Sequence, residues 1–193
     1  MTPQSTSHMR LYSSAGHRLY LNGTERDAFR RAALRQPLAE RVFCLLLLET
    51  GCRLLEARYL RFRDVQPSEG KVAFRTLKQR KPKDPREVPI PPYLVEGLLD
   101  LFGDGQQPDR RLWPASRTTA WRWVKAVMID AKIAGRQASP KGLRHGYGIA
   151  WIMAGLPVFT LSKFIGHARL ETTMIYAMVS GPEERRLAER LWV

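Results

Sequence analysis

Lys141, Arg144, His145, His167 and Tyr176 fall within one stretch, residues 139–176, and together they carry the groups needed to attack a phosphodiester. A tyrosine hydroxyl has a pKa of about 10, so it becomes a nucleophile only when cations and hydrogen bonds stabilise its oxyanion. The non-bridging phosphate oxygens gain charge during attack, and an arginine meets them with a planar, two-pronged fork. Each residue also has a plainer explanation. Tyr176 taken alone is better explained as a buried ring packing beside Met174 and Met178. His167 taken alone reads as a histidine facing the dipole at a helix C-terminus. His145 reads as a satisfied structural histidine.

Three consecutive helices are expected to position these groups. Ser139 is a good N-cap, and Pro140 suits the first helical position. Leu143, Tyr147, Ala150, Trp151 and Ala154 then recur at helical spacing as an apolar face. Gly155 stops that helix and Pro157 starts the next. Val158, Leu161, Phe164 and Ile165 bury the second helix, Gly166 ends it, and His167 stands at the break. Thr172 and Thr173 open a short third helix that carries Tyr176. On the first helix, Lys141, Arg144, His145 and Gly148 share the face opposite the apolar one. Gly148 would admit another backbone, of protein or nucleic acid.

Upstream, Thr24 and Asp27 start a helix running to Arg35, and Pro37 breaks it. Leu38 to Thr50 is apolar all round, which marks a buried helix. Gly51 ends it, and Arg53 follows at the turn before a short helix containing Leu54, Leu55, Ala57, Arg58 and Leu60. An arginine between two apolar helices has no packing role there, and Glu56 is placed to orient its guanidinium. Val72, Phe74 and Thr76 alternate, as do Arg86, Val88 and Ile90, which predicts an antiparallel hairpin with a basic tip over residues 78–85. Residues 91–102 form an amphipathic helix, and Ser116 caps another that carries Trp121, Trp123, Val124, Val127 and Met128. The fold class expected is mainly α with a small antiparallel β-sheet. The expected organisation is a loose tail over residues 1–20, a catalytic domain over 21–180 and a tail helix over 181–193.

Lys141-Gly-Leu-Arg144-His145, then Gly166-His167, Thr172-Thr173 and Tyr176, resemble the C-terminal signature of the tyrosine recombinase (phage integrase) family. Thr50-Gly51-Cys52-Arg53-Leu54-Leu55-Glu56-Ala57, followed by Leu60 and Asp64-Val65, resembles that family's first arginine box. The resemblance covers roughly residues 21–180. It implies site-specific recombination of double-stranded DNA through a 3′-phosphotyrosine, with neither metal nor nucleotide cofactor. It implies Tyr176 as nucleophile, Arg53 and Arg144 as phosphate clamps, and His167 as a hydrogen-bonding partner. It also implies Lys141 at a position where the family usually has histidine. A hairpin lysine protonates the leaving 5′ oxygen; Lys78 is the matching position and Lys81 the alternative. Members usually carry a DNA-clamping domain ahead of the catalytic one, and only about 20 residues precede the first helix here. A catalytically inactive DNA-binding regulator with the same fold is the alternative function.

Composition agrees with a nucleic-acid partner. The 193 residues carry 32 Lys and Arg against 18 Asp and Glu, a formal charge of +14, and such an excess favours polyanions. Arg75, Arg80, Lys81, Lys83, Arg117 and Arg122 are candidate phosphate contacts. An RNA-binding domain is a weaker reading, because neither a stacking aromatic motif nor a glycine-loop clamp is evident. If Cys44 and Cys52 sit on one helix they are too far apart to bridge, which fits a reducing, cytoplasmic setting. The longest apolar run, Val42 to Leu48, is too short to span a bilayer. The histidines lack metal-ligand spacing. Residues 183–193 end in Leu-Trp-Val after a Gly181-Pro182 break, so this segment need not fold back on its own domain. It is expected to dock on another protomer of a homo-oligomer on DNA, a tetramer by the family resemblance, with packing in cis as the alternative.

Overall fold

The computed structural model describes residues 10–75, 85–102, 107–190 and 192. Its central element is helix α2 (Leu38–Thr50), in which every residue from Val42 to Leu48 is buried. Leucines, which are not branched at Cβ, favour the helical backbone, and no glycine or proline interrupts them. Pro37 precedes the helix, and Gly51 closes it in the left-handed conformation at φ +59. A Cβ at Gly51 would lie 2.6 Å from the Tyr147 ring, so glycine is required there both for its backbone and for its size.

Helices pack around α2 on several sides. Helix α1 (Gly23–Leu34) buries Phe29, Ala32 and Ala33. Asn22, rather than Thr24, is its cap: the Asn22 side chain and Glu25 exchange hydrogen bonds with each other's backbone, a reciprocal arrangement that satisfies two orphan donors. Gly51 leads into α3 (Leu54–Tyr59). Helices α4 (Pro92–Asp100) and α5 (Arg117–Asp130) follow, and the Ser116 hydroxyl caps α5 as expected. Trp113 is buried edge-on to Phe43, and its Nε1–H donates to the Ala39 carbonyl at 2.9 Å.

The small antiparallel sheet contains, among the described residues, β1 (Val65–Gln66), β2 (Lys71–Phe74) and β3 (Arg86–Pro89) in that order. Val72 pairs with Val88, and Phe74 with Arg86. The pair β2 and β3 matches the expected hairpin. Strand β1 was not foreseen, since two residues hold no alternation. Residues 76–84, which include Lys78, Arg80, Lys81 and Lys83, lie outside the described residues.

The stretch after Ser139 forms α6 (Pro140–Met153), α7 (Val158–Ile165) and α8 (Glu171–Met174). A 3₁₀ turn, Ile175–Met178, continues α8. Tyr176 therefore sits on the tighter turn rather than on the third helix itself. Helix α9 (Pro182–Glu189) then folds back on its own chain, the alternative to the expected docking on another protomer. Its buried Glu183 accepts from the Tyr20 hydroxyl at 3.1 Å, and Arg190 donates to the Met153 carbonyl of α6. Leu187 packs into the cluster that includes Tyr20 and Tyr176. The N-terminal segment is also packed from Leu11 onward: Leu11 and Tyr20 are buried, and the Tyr12 hydroxyl donates to the Ser180 carbonyl at 3.0 Å. Short polar and aromatic residues near each terminus satisfy one another, a pairing that neither stretch reveals alone. Among the described residues no helix is long and apolar enough to cross a membrane.

Leu46 is fully buried in the middle of α2. Leu46→Ala should lower unfolding free energy by about 2–5 kcal/mol, read from urea melts. An unchanged urea midpoint would show that α2 is not the centre of the core.

Candidate active site

Arg53 occupies the N-cap position of α3, set there by the left-handed turn at Gly51. The Glu56 carboxylate, one turn along, accepts from the Arg53 backbone N–H at 2.9 Å and from Arg53 Nη1 at 2.7 Å. The same carboxylate accepts from Arg86 Nη2 at 2.6 Å. Glu56 is only 4% exposed. Burial raises its pKa, but Arg86, by charge and by hydrogen bond, and then Arg53 hold it below the usual carboxylate range.

Arg144 on α6 is buried, and among the described residues no carboxylate pairs with it. Its Nη1 donates to the Gly51 carbonyl at 2.8 Å and its Nη2 to the Ile165 carbonyl at 2.9 Å. These are carbonyls at the C-terminal ends of α2 and α7. They satisfy hydrogen bonds but bring only partial negative charge. Burial and then the charge of Arg53 push the guanidinium down to about 10, so it is still a cation at neutral pH.

Tyr176 is fully buried. A Cβ on Gly148 would lie 2.6 Å from its ring. The open surface at Gly148 is thus filled by the tyrosine of the same chain, not by an incoming backbone. The Tyr176 hydroxyl lies 3.2 Å from His145 Nδ1, and its ring stacks on His167 with centroids 6.2 Å apart. Burial pushes the phenol up to about 12, against the opposing pull of Arg144 and Arg53. In this arrangement Tyr176 is a neutral phenol.

Both histidines are held neutral. Burial, then Lys141 and Arg144, push His145 down to about 3. Burial, then Arg144 and Arg53, push His167 to about 3 as well. His167 Nδ1 bonds to the Thr173 hydroxyl at 2.9 Å, while the Nε2 atoms of both rings are buried without a partner among the described residues. The neutral imidazole of His145 shares a hydrogen bond with the phenol, and the nearby arginines favour a phenolate while opposing a charged imidazolium.

Of the expected site residues, the fold gathers Arg53, Arg144, His167 and Tyr176. Lys141 is exposed on the first turn of α6, apart from the buried Arg144 and His145, because the helix turns that position towards solvent. Lys78 lies outside the described residues. Arg75 is exposed and pairs with Asp64 at 3.7 Å, and Arg117 and Arg122 are exposed on α5. Two residues went unrecognised in the sequence. His145, read as purely structural, touches the Tyr176 hydroxyl. Arg86 falls in the same strand phase as Val88 and Ile90, both buried; a cation in that phase signals a buried carboxylate partner.

The phage integrase family model matches residues 20–181. The chain is 27% identical over 165 residues to the tyrosine recombinase XerA of Pyrococcus furiosus, covering 81% of this chain and 56% of that protein. It spans about half the length of the curated relatives it first matches. Among solved structures, a crystal structure of XerA recombinase aligns with TM-score 0.76 at 23% identity, covering 89% of this chain and 64% of that one. A pre-cleavage complex of the XerH site-specific recombinase with its difH substrate aligns with TM-score 0.67 at 17% identity, covering 94% of this chain and 60% of that one. At such identities these structures establish the shared fold.

The depressed histidines carry a pH signature. Unfolded, each titrates near 6.5; folded, each is held to about 3. The unfolded chain therefore binds more protons as the pH falls, and stability drops from pH 6.5 downward. The thermal midpoint should be lower at about pH 5 than at about pH 7.5, and His145→Asn should flatten that difference. A midpoint independent of pH across this window would contradict the buried, neutral histidines.

Proposed function

Because the chain belongs to the phage integrase family, we propose that it is a site-specific DNA recombinase that cleaves and rejoins strands through a covalent 3′-phosphotyrosine. The observation that carries this reading is a buried arginine, Arg144, that has no carboxylate partner among the described residues and lies near Arg53 and Tyr176. Glu56 is shared between Arg53 and Arg86, so Arg144 is left without an anionic partner among the described residues, and a phosphate diester supplies one.

In the proposed reaction the Tyr176 oxygen attacks the scissile phosphorus. The bond from phosphorus to the 5′ oxygen breaks, and the 3′ phosphate stays on Tyr176. Arg53 and Arg144 meet the non-bridging oxygens. His167 has its Nδ1 committed to Thr173, so Nε2 is the atom free to face the phosphate. The phenol hydroxyl rests against His145 Nδ1; that ring is a weak base, so the phenol proton passes to water once Tyr176 leaves its buried position. Lys78 protonates the leaving 5′ oxygen, with Lys81 the alternative, and Lys141 adds positive charge from the exposed edge. Positioning and electrostatics supply most of the acceleration in phosphoryl transfer, so no cofactor is required. The retained phosphotyrosine conserves the energy needed for religation.

The substrate is double-stranded DNA, held by the basic surface that includes Arg75, Arg117 and Arg122 and by the hairpin residues Arg80, Lys81 and Lys83. Assembly as a homo-oligomer on paired sites, a tetramer, in the cytoplasm belongs to the same reading. Tyr176 must leave its buried position to attack, so DNA binding and assembly have to release it.

Tyr176→Phe should abolish covalent capture of a pool of nicked duplexes of randomised sequence while leaving DNA binding nearly unchanged. Adduct persisting in this variant would remove Tyr176 as nucleophile. Binding without any adduct from the unaltered chain would instead favour the inactive DNA-binding regulator. Affinity should also fall steeply with salt: contacts to about six phosphates give a slope of log K against log salt of about −5. A nearly flat dependence would count against DNA as the partner.

A further inference from the structure

We infer that Arg86 is a positioning residue for the proposed reaction: it neutralises Glu56, so that Glu56 can orient Arg53 without cancelling its charge. The inference rests on the reading of Arg53 as a phosphate clamp.

Glu56 is shared unequally in space. Both of its arginine partners lie within hydrogen-bond distance, Arg53 at 2.7 Å and Arg86 at 2.6 Å. The Arg53 side chain is 33% exposed, whereas that of Arg86 is 8% exposed. Only Arg53 can reach an incoming phosphate; Arg86 is confined to the protein side of the carboxylate. Charge decides what this arrangement achieves. Arg53 and Glu56 alone sum to zero, and a guanidinium cancelled by its own carboxylate attracts an anion weakly. With Arg86 the trio carries one positive charge, and Arg53 is the member facing outward. Glu56 then contributes orientation while the surplus charge remains available to substrate.

Arg86 also reaches the opposite wall of the site. Its Nε donates to the Phe164 carbonyl at 2.9 Å, in the last turn of α7. Gly166 follows in the left-handed conformation, and a Cβ there would lie 3.0 Å from the Arg86 side chain. The turn leading to His167 is thus closed over this guanidinium. The guanidinium also lies over the Phe74 ring, 4.9 Å from its centroid. One buried side chain from β3 therefore ties the carboxylate that holds Arg53 to the turn that delivers His167.

The test compares Arg86→Met, Glu56→Gln, their double variant and Arg86→Lys in the full chain, on nicked duplexes of randomised sequence. Arg86→Met should slow adduct formation by about ten- to a hundredfold with DNA still bound. The double variant should recover most of that loss, because charge and counter-charge leave together. Arg86→Met at the unaltered rate, or a double variant no faster than Arg86→Met, would overturn the inference. If Arg86→Met does not fold, Arg86→Lys decides. It keeps the charge, so adduct formation within about tenfold of the unaltered chain supports the role, and complete loss in a folded protein refutes it. If the unaltered chain forms no adduct, the recombinase reading fails and binding decides the inference separately. Arg53→Ala should then weaken DNA binding more in the unaltered background than beside Arg86→Met, and an equal effect in both would overturn it.

Discussion

A guanidinium taken out of water needs acceptors for its hydrogen bonds, and Arg144 finds two in the carbonyls of Gly51 and Ile165. The rest of the site depends on that solution. It fixes the C-terminal end of α2, the last turn of α7 and the middle of α6 against one another. Carbonyls satisfy the hydrogen bonds but leave the charge unbalanced, so positive charge is stored rather than cancelled. Glu56 is spent on Arg53 and Arg86 together, and that trio also keeps one positive charge. Among the described residues the site is short of an anion.

Tyr176 shows the other side of that design. Its hydroxyl is satisfied by His145, and its ring fills the space that Gly148 leaves open. Burial keeps the phenol protonated although two arginines favour its anion. A phenol held in this way stays protonated. The turn that carries it runs directly into Val179, Gly181 and α9, and α9 is held by Glu183 on Tyr20 and by Arg190 on α6. Movement of Tyr176 is therefore mechanically linked to the packing of both terminal segments.

Much of this was legible in the sequence, for local reasons. The leucine run of α2, the stop at Gly51 and the Ser139-Pro140 start each act within a few residues of themselves. Arg53 beside Glu56 was readable because one helical turn separates them. Contacts between distant segments were not. The partner of Arg86 lies thirty positions away, on α3, although the strand phase of Arg86 gave a hint. His145 reads as structural until Tyr176 is brought against it by the fold of α6 to α8. Glu183 and Tyr20 meet across nearly the whole chain, and nothing in either neighbourhood announces the other. The face drawn from Lys141 to Gly148 divided, because a helical face half a turn wide can have one edge in water and the rest in the core.

The central claim is that the charge stored around Arg53 and Arg144 serves attack by Tyr176 on a DNA phosphate. The most direct measurement is mass spectrometry of the peptide that carries nucleotide after a trapped adduct is digested with protease and nuclease. The account predicts one modified peptide, with the nucleotide joined through its 3′ phosphate to the Tyr176 oxygen. Nucleotide on any other residue, or joined through a 5′ phosphate, would contradict it.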